Sequence, residues 1–301
     1  MYSNNVNLRS AGEKIEYTPE IIQEYIKCKE DILYFAEKYY QIISIDKGKI
    51  LIPLREYQKR MLKSLMGVEG EERRHRIVLS GRQSGKTEIS VLYLLHFALF
   101  QEEKNIAILA NNERTATDIL AKLKTSFENL PLWLQSGIVD GGWSKTSVKL
   151  ENGCKIFSGS TSSNGIRGRT INLLFLDEFA FVPNNMADEF IASVYPTISS
   201  GKTSKIIMVS TPKGMNHFYH IWVKAVKEIN SFQPIKINWW EVPGRDDKWK
   251  EQTISDIGLI KFNQEFQCIL GDTNLDIINN STDKNESLSI KDLYNKLKDK
   301  Q

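Results

Sequence analysis

Four short apolar runs, each followed by apolar residues at helical spacing, constrain the fold of this chain more than any other feature. The runs are IVLS (77–80), IAILA (106–110), INLLFLDE (171–178) and KIIMVST (205–211). Strands that are apolar along their whole length are typical of a sheet covered on both faces, and alternation with helices is typical of parallel pairing. The sequence therefore predicts an α/β fold with a mainly parallel sheet flanked by helices.

Other local patterns mark the borders of this regular region. Residues 18–41 have the spacing of a helix, and residues 148–160 alternate around Asn152 and Gly153, which predicts a hairpin. After about residue 232 the regularity weakens, and two short helical stretches follow. We therefore expect an N-terminal helical segment (1–55), a core (56–232), a lid or linker (233–267) and a tail (268–301).

Composition excludes several classes of protein. The chain has 301 residues, of which 41% are hydrophobic, so one or two domains are expected. No apolar run approaches the roughly 20 residues that span a bilayer, and the first residues lack the apolar core of a secretory signal. Cys28, Cys154 and Cys268 form no CxxC pair, which argues against a disulfide scaffold or zinc site. The net charge is only +3, so any DNA contact requires a local patch.

Residues 80–87 (SGRQSGKT) lie between a predicted strand and a predicted helix over 86–100. In a phosphate-binding loop of the pattern GxxxxGK(S/T), backbone N–H groups and the helix N-terminus bind phosphates, the lysine contacts the β- and γ-phosphates, and the hydroxyl binds Mg²⁺. Lys86 and Thr87 hold those positions, while Ser80 replaces the usual first glycine. The alternative is a glycine-rich turn that caps an ordinary helix.

Three further polar groups fit such a site. Arg82 could stabilise charge near the γ-phosphate, as an arginine finger does, or it could pair with a nearby surface carboxylate. Asp177 and Glu178 end an apolar strand, where the first acid would bind Mg²⁺ and the second would orient the attacking water. Ser210 and Thr211 end the next apolar strand and could contact the γ-phosphate, although a plain turn before a proline is the simpler interpretation.

Three motifs together resemble the ATPase half of the large terminase subunit of tailed phages, a motor that packages DNA into a preformed capsid. They are GRQSGKT (81–87), INLLFLDEFAFV (171–182) and VSTPKGMNHFYHIW (209–222), and the likeness covers roughly residues 30–267. The resemblance implies a RecA-like (ASCE) P-loop ATPase core. It also implies a small helical lid subdomain formed by the two segments that flank the core.

The resemblance also implies roles, with ATP and Mg²⁺ as the ligands. Tyr57 and Gln58 would lie on the adenine side. The implied partners are double-stranded DNA, the portal protein of the procapsid, the small terminase subunit and further copies in a ring, all in the host cytoplasm. The implied nucleotide-binding residues are Tyr57, Gln58, Arg82, Gln83, Ser84, Gly85, Lys86 and Thr87. By the same resemblance, Thr87 and Asp177 would bind Mg²⁺, and Glu178 and Arg82 would be catalytic. Ser210 and Thr211 would couple hydrolysis to movement.

The end of the sequence departs from this family. Family members normally carry a C-terminal RNase H-like nuclease, and the sequence after Phe266 is too short for one, so we expect no nuclease activity. Instead, CILGDTNLDIINN begins at Cys268 and resembles the N-terminal block of an intein, a partial Hint-like unit.

In an intein, the Cys268 thiol would attack the carbonyl of Gln267 and form a thioester. Because the later intein blocks are missing, splicing would need a complementary C-terminal half. The alternatives are a truncated gene or a disordered tail with a core cysteine.

Two other classes of function compete with a packaging motor. A helicase-like DNA-dependent ATPase usually needs a second RecA-like core, and the sequence has no second strand–helix series. A nucleotide-binding module without catalysis, or a fragment that is inactive until trans-splicing, is the other alternative. The intact Lys86, Thr87, Asp177 and Glu178 argue against a non-catalytic module.

Overall fold

A computed structural model describes residues 5–44, 46–67, 71–161, 169–199, 201–268, 274–279, 284–289 and 292. The strands in these residues are β1 (Gln41–Ser44), β2 (Gly48–Leu51), β3 (His75–Ser80), β4 (Asn105–Ala110), β5 (Ile138–Trp143), β6 (Ser147–Leu150), β7 (Lys155–Ser160), β8 (Leu173–Asp177), β9 (Lys205–Ser210), β10 (Phe232–Ile237), β11 (Asn274–Asn279) and β12 (Lys284–Ser289). The helices are α1 (Pro19–Glu30), α2 (Ile32–Tyr39), α3 (Glu56–Met66), α4 (Lys86–Phe100), α5 (Glu113–Glu128), α6 (Asn184–Ser199), α7 (His217–Val226), α8 (Asp247–Ile257) and α9 (Leu259–Phe262).

Within the described residues, eight strands form one sheet in the order β10-β3-β9-β8-β4-β7-β6-β5. The strands from β10 to β7 pair in parallel, and β6 and β5 extend the sheet antiparallel. The mainly parallel sheet is therefore confirmed. The predicted hairpin is confirmed as well: it joins β6 to β7, and Gly153 has the positive φ of 80° that favours glycine in a tight turn.

Helices cover both faces of the parallel part of the sheet. Alternate residues of β3 point to opposite sides: Val78 belongs to the apolar cluster that includes α3, α4 and α5, whereas Ile77 and Leu79 belong to the cluster that includes α6 and α7. This alternation is the period of an extended strand, and it makes a central strand apolar throughout. Burying each large aliphatic side chain contributes about 1.5–3 kcal/mol to stability.

The predicted helix over 18–41 is two helices that meet at Asp31. The Asp31 carboxylate accepts hydrogen bonds from the backbone N–H of Leu33 (2.9 Å) and Tyr34 (3.1 Å). An aspartate in this position satisfies N–H groups that lack a partner at a helix start, so it favours a new helix over continuation of the old one. The single-helix prediction was wrong for this reason.

The N-terminal helices pack against α4. The ring of Tyr25 lies 5.2 Å from that of Phe100, and the ring of Phe35 lies 5.5 Å from that of His96. The 1–55 segment thereby extends the helix layer on one side of the sheet. Its expected union with residues 233–267 in one lid stays a prediction.

The boundary expected between residues 232 and 233 falls inside β10. This strand pairs with β3 from Phe232 opposite His75 to Ile237 opposite Ser80, so the sheet continues beyond the predicted core. Pro234 interrupts the apolar pattern and hid the strand. A proline cannot donate to a neighbouring strand, and the outer edge of the sheet, where β10 lies, is the position that tolerates it.

The tail contains an antiparallel pair, β11 and β12, with Asn274 opposite Ser289 and Asn279 opposite Lys284. A strand was expected shortly after Cys268, and β11 agrees with that order; β12 occupies part of the sequence expected to be a polar loop. The predicted Gly271–Thr273 turn and most of the predicted SIKDLY segment lie outside the described residues. Within the described part, no helix has the length and apolarity to cross a membrane.

His75 gives a test of this fold through pH. Its side chain is buried, its Nδ1 accepts a hydrogen bond from the backbone N–H of Ile206 (3.0 Å), and burial together with three nearby cations lowers its pKa to about 4. Between about pH 6.5 and 4 the unfolded chain therefore binds the proton more readily, and stability falls as the pH falls. We expect His75→Gln to reduce the loss of unfolding free energy between pH 7 and 5 in denaturant titrations. The exposed His220→Gln serves as a control; equal pH dependence in both variants would contradict the assignment.

Candidate active site

The strand, turn and helix predicted around residues 80–87 are present. β3 ends at Ser80 and α4 begins at Lys86. Between them, Gly85 has φ 77° and ψ 14°, a left-handed conformation that glycine adopts without strain. A Cβ at Gly85 would also lie 2.6 Å from Nε2 of Gln58. We call residues 81–85 the glycine loop.

The adjacency of β3, β9 and β8 brings the polar ends of three strands together. Lys86 Nζ lies 3.2 Å from Glu178 Oε1, although 92 positions separate the two residues in sequence. A cavity of about 420 Å³ opens here. It is lined by Arg82, Gln83, Lys86, Asn111, Thr115, Glu178 and Phe181.

Asp177 and Thr87 form a possible Mg²⁺ site. Thr87 Oγ1 donates to Asp177 Oδ2 at 3.5 Å, and Asp177 is 4% exposed. Burial, with the neighbouring Glu178 as the second cause, raises the pKa of Asp177 to about 6. Hydroxyl and carboxylate oxygens are ligands that Mg²⁺ accepts, and it commonly takes only one or two protein ligands beside phosphate and water. The donor set therefore fits Mg²⁺; the described residues hold no cluster of three metal-binding side chains.

Glu178 is the point where the predicted catalytic and coupling residues meet. Besides the contact with Lys86, its Oε2 accepts from Thr211 Oγ1 (3.5 Å) and lies 3.4 Å from Ser210 Oγ, whose shorter bond is donated to the carbonyl of Thr211 (2.8 Å). Glu178 has φ 51°, a conformation that is uncommon outside glycine and tends to occur at functional sites. Ser210 also accepts from the backbone N–H of Ala180 (3.2 Å), so it joins β9 to the segment after β8. The plain-turn interpretation leaves these contacts unexplained.

Tyr57 and Gln58 lie beneath the glycine loop. Tyr57 OH donates to the carbonyl of Ser84 at 2.8 Å, and Gln58 Nε2 donates to the same oxygen at 3.3 Å. Gln58 Oε1 accepts from the backbone N–H of Arg55, which caps α3. These bonds brace the loop, a role that the sequence motif did not suggest. The expected adenine contact stays a prediction.

Arg82 pairs with a residue that sequence reasoning missed. Its guanidinium contacts the Glu265 carboxylate, and its backbone N–H donates to the Glu265 carbonyl at 2.8 Å. Arg245 Nη2 donates to the carbonyl of Arg82 at 3.0 Å. Glu265 and Arg245 lie in two segments that share the family resemblance, VPGRDDKW and FNQEFQ, but the sequence assigned neither residue to the site.

Cys268 is not among the residues that line the cavity, although it is close enough to Lys86 and Glu265 for their charges to act on its thiol. It is 1% exposed and packs in the apolar cluster that includes α6 and α7. Burial raises the pKa of its thiol to about 12, so the thiol is protonated at neutral pH.

The fold is shared with solved large terminases of phages. The chain is 17% identical to the HK97 bacteriophage large terminase over 84% of its length, with a TM-score of 0.65. It is also 19% identical to the ATPase domain of the Thermus phage P74-26 large terminase, with a TM-score of 0.53. This match covers 71% of the present chain and 92% of that domain. A third structure, the large terminase of a thermophilic bacteriophage in complex with ATP-gamma-S, is 15% identical over 71% of this chain, with a TM-score of 0.52. These structures define an α/β fold of the terminase ATPase type.

The family model described as terminase large subunit, T4likevirus-type, N-terminal, matches residues 77–283, so the match continues past Cys268, where the sequence was expected to depart from the family. The chain belongs to this family. The family match and the shared fold are together consistent with a DNA-packaging motor. It spans 57% of the HK97 terminase chain and 52% of the terminase chain that was solved with ATP-gamma-S.

Proposed function

We propose that this chain is the ATP-hydrolysing part of a motor that packages viral DNA, built on a RecA-like P-loop core. The observation that carries the proposal is the contact of Lys86, Ser210 and Thr211 with one carboxylate, Glu178, beside the glycine loop. The membership of the terminase family supports the same function. ATP as the substrate is supported by the structures of the thermophilic phage terminase with ATP-gamma-S and with ADP.

The proposed chemistry divides among the cavity residues. Lys86 compensates phosphate charge, and Glu178 orients the attacking water and accepts its proton. Arg82 lines the same cavity and would stabilise the charge that develops in the transition state. Mg²⁺, held by Thr87 and Asp177, would neutralise phosphate charge when bound.

The hydroxyls of Ser210 and Thr211 are proposed to couple hydrolysis to movement. Both contact the Glu178 carboxylate, so a change in its hydrogen bonding reaches the end of β9 directly. Ser210 passes the same change to the backbone of Ala180. The part of the predicted lid that follows β10, residues 238–267, is proposed as a lid, supported by the bonds of Arg245 and Glu265 to Arg82. For residues 1–55, a place in that lid rests on the family resemblance.

Double-stranded DNA is the proposed polymer partner, and the exposed face of β6 and β7 is its candidate contact. Lys149 and Lys155 are exposed and directly opposite each other in the pairing of these strands. Like charges in that position destabilise a sheet, and no ion pair in the described residues compensates them. The guanidinium of Arg169 lies 4.6 Å from the centre of the Phe157 ring beside them. A phosphate backbone would compensate this charge.

A cavity of about 730 Å³ runs along this face and is lined by Lys149, Lys155, Phe157 and Arg169 among others. The portal protein of a procapsid, a small terminase subunit and further copies of the chain in a ring are proposed partners as well. They rest on the family alone, as does the host cytoplasm as the place of action.

For the tail, we propose the start of an intein, whose later blocks can be supplied experimentally as a separate C-terminal half. Two observations support it: β11 follows Cys268 in the expected order, and the Gln267 side chain accepts a hydrogen bond from Trp239 Nε1 (2.6 Å), which fixes the residue whose carbonyl would be attacked. Because the Cys268 thiol is buried and protonated, the reaction would begin only after the C-terminal half rearranged this segment and supplied a base.

Glu178→Gln tests the hydrolytic role. The amide keeps the shape of the side chain and cannot accept the proton, so we expect ATP affinity to persist while turnover falls by about 100-fold or more. Phosphate release and binding of a fluorescent ATP analogue measure the two effects. Lys86→Ala should lose both, whereas Glu30→Gln on α1 should change neither. Turnover at the parental rate in Glu178→Gln would contradict the proposal.

The double substitution Lys149→Ala, Lys155→Ala tests the DNA contact. Fluorescence anisotropy with double-stranded DNA of mixed sequence should show weaker binding. The slope of log affinity against log salt should shrink by about 0.9 for each phosphate contact removed. The control is the double substitution Lys224→Ala, Lys227→Ala, which removes the same charge from exposed positions around the end of α7, at the opposite edge of the sheet. This control should bind DNA as the parent does. Equal binding by both double variants would rule out this face.

Intact mass spectrometry tests the tail. Mixing the chain with candidate intein C-terminal halves should join residues 1–267 to the downstream segment. Cys268→Ala should block this ligation and leave ATP turnover unchanged, and Cys154→Ala should still ligate. Absence of ligated product with every C-terminal half would contradict the intein assignment.

A further inference from the structure

Residues 265–266 lie directly against the start of the glycine loop. The backbone N–H of Arg82 donates to the carbonyl of Glu265 at 2.8 Å. At the preceding position, a Cβ on Gly81 would come within 2.9 Å of the carbonyl oxygen of Phe266. The two backbones therefore touch where the loop carries no side chain, and movement of one segment displaces the other.

The side chains repeat this connection. The Glu265 carboxylate binds the Nε edge of the Arg82 guanidinium, and among the described residues this is the contact that the guanidinium makes. Glu265 is 17% exposed and Arg82 is 58% exposed, so the carboxylate is the fixed member of the pair. Arg82 nevertheless lines the cavity together with Lys86 and Glu178. One edge of the guanidinium is thus held while the rest of the group stays at the cavity.

An aromatic cluster fixes Glu265 in turn. The ring of Phe266 lies 5.2 Å from that of Trp249 and 5.7 Å from that of Phe262. The guanidinium of Arg245 lies 4.8 Å from the centre of the Trp249 ring and 5.2 Å from that of Phe266, and it also donates to the carbonyl of Arg82. Such stacked groups have few alternative rotamers, so the carboxylate beside them has a defined position.

We propose that Glu265 is a positioning residue for hydrolysis: it orients the guanidinium of Arg82 at the mouth of the cavity and links that orientation to the 238–267 segment. The proposal rests on the ATPase function proposed above. An arginine side chain that is ordered in advance loses less conformational entropy when it meets the transition state. Because the benefit concerns charge that develops during the reaction, it acts on kcat rather than on KM.

A double-mutant cycle tests the proposal on the full chain. Glu265→Ala should lower kcat by about fivefold to tenfold with KM for ATP unchanged, since orientation of one group carries that much of a rate. In an Arg82→Ala background the same substitution should lower kcat no further. Glu265→Gln, which keeps an acceptor for Nε, should recover part of the loss. Glu251→Ala removes an exposed carboxylate on α8 and is the matched control.

Several outcomes would overturn the positioning role. Equal losses in the parental and Arg82→Ala backgrounds, or a raised KM with unchanged kcat, would make Glu265 a structural residue of the 238–267 segment. If the parental chain hydrolyses no ATP, the proposed function fails. The ion pair between Arg82 and Glu265 can then be tested separately by NMR with ¹⁵N-labelled arginine. Glu265→Ala should speed solvent exchange of the Arg82 Nε proton; an unchanged exchange rate would overturn the inference.

Discussion

The parallel pairing of β3, β9 and β8 is the constraint on which the site depends. Leu79 pairs with Ser210 and Asp177 pairs with Val209, so the three strands end at one edge. In a strand, a shift of one residue turns every side chain to the opposite face. The Ser210 hydroxyl and the Glu178 carboxylate meet because this register holds. The apolar residues that fix the register lie outside the site, and they control its geometry as strictly as the polar residues do.

The same edge concentrates charge that a stable fold would avoid. Asp177 and Lys86 are both buried, and the raised pKa of Asp177 records the cost of keeping a carboxylate in that position. The charges are tolerated because they have partners: Lys86 contacts Glu178, and Asp177 accepts from Thr87. Removing one member would leave the other buried without compensation, which costs more than the pair contributes. Lys86 therefore compensates one of the two carboxylates, and a second cation such as Mg²⁺ would compensate the other.

The sequence predicts those parts of the fold whose signal is local. The apolar runs of β3, β4, β8 and β9, the Asn152–Gly153 turn and the GKT motif each lie within a dozen residues, and all are found in the structure. Features set by position in the sheet were missed: β10 contains a proline that only an edge accepts. The break at Asp31 was missed because one side-chain cap outweighs helical periodicity.

The candidate site follows the same division between local signals and long-range contacts. The approach of Lys86 to Glu178 was predictable because β3 and β8 belong to one parallel sheet and end at the same edge; the catalytic roles of these residues stay predictions. Glu265 and the bond from Tyr57 to Ser84 were not, since contacts between distant residues without a motif leave no trace in one sequence.

Arg82 shows why two interpretations of one residue need not exclude each other. The sequence allowed either a surface ion pair or a group aimed at phosphate, and the structure gives Arg82 a carboxylate partner while it lines the cavity. An exposed ion pair of this kind contributes little to stability, about 0–1 kcal/mol. The pair would instead orient the Arg82 guanidinium. Glu265 binds its Nε edge, and the other N–H donors of the group stay available to a phosphate. Through this pair, Arg82 connects the 238–267 segment to the residues that line the cavity.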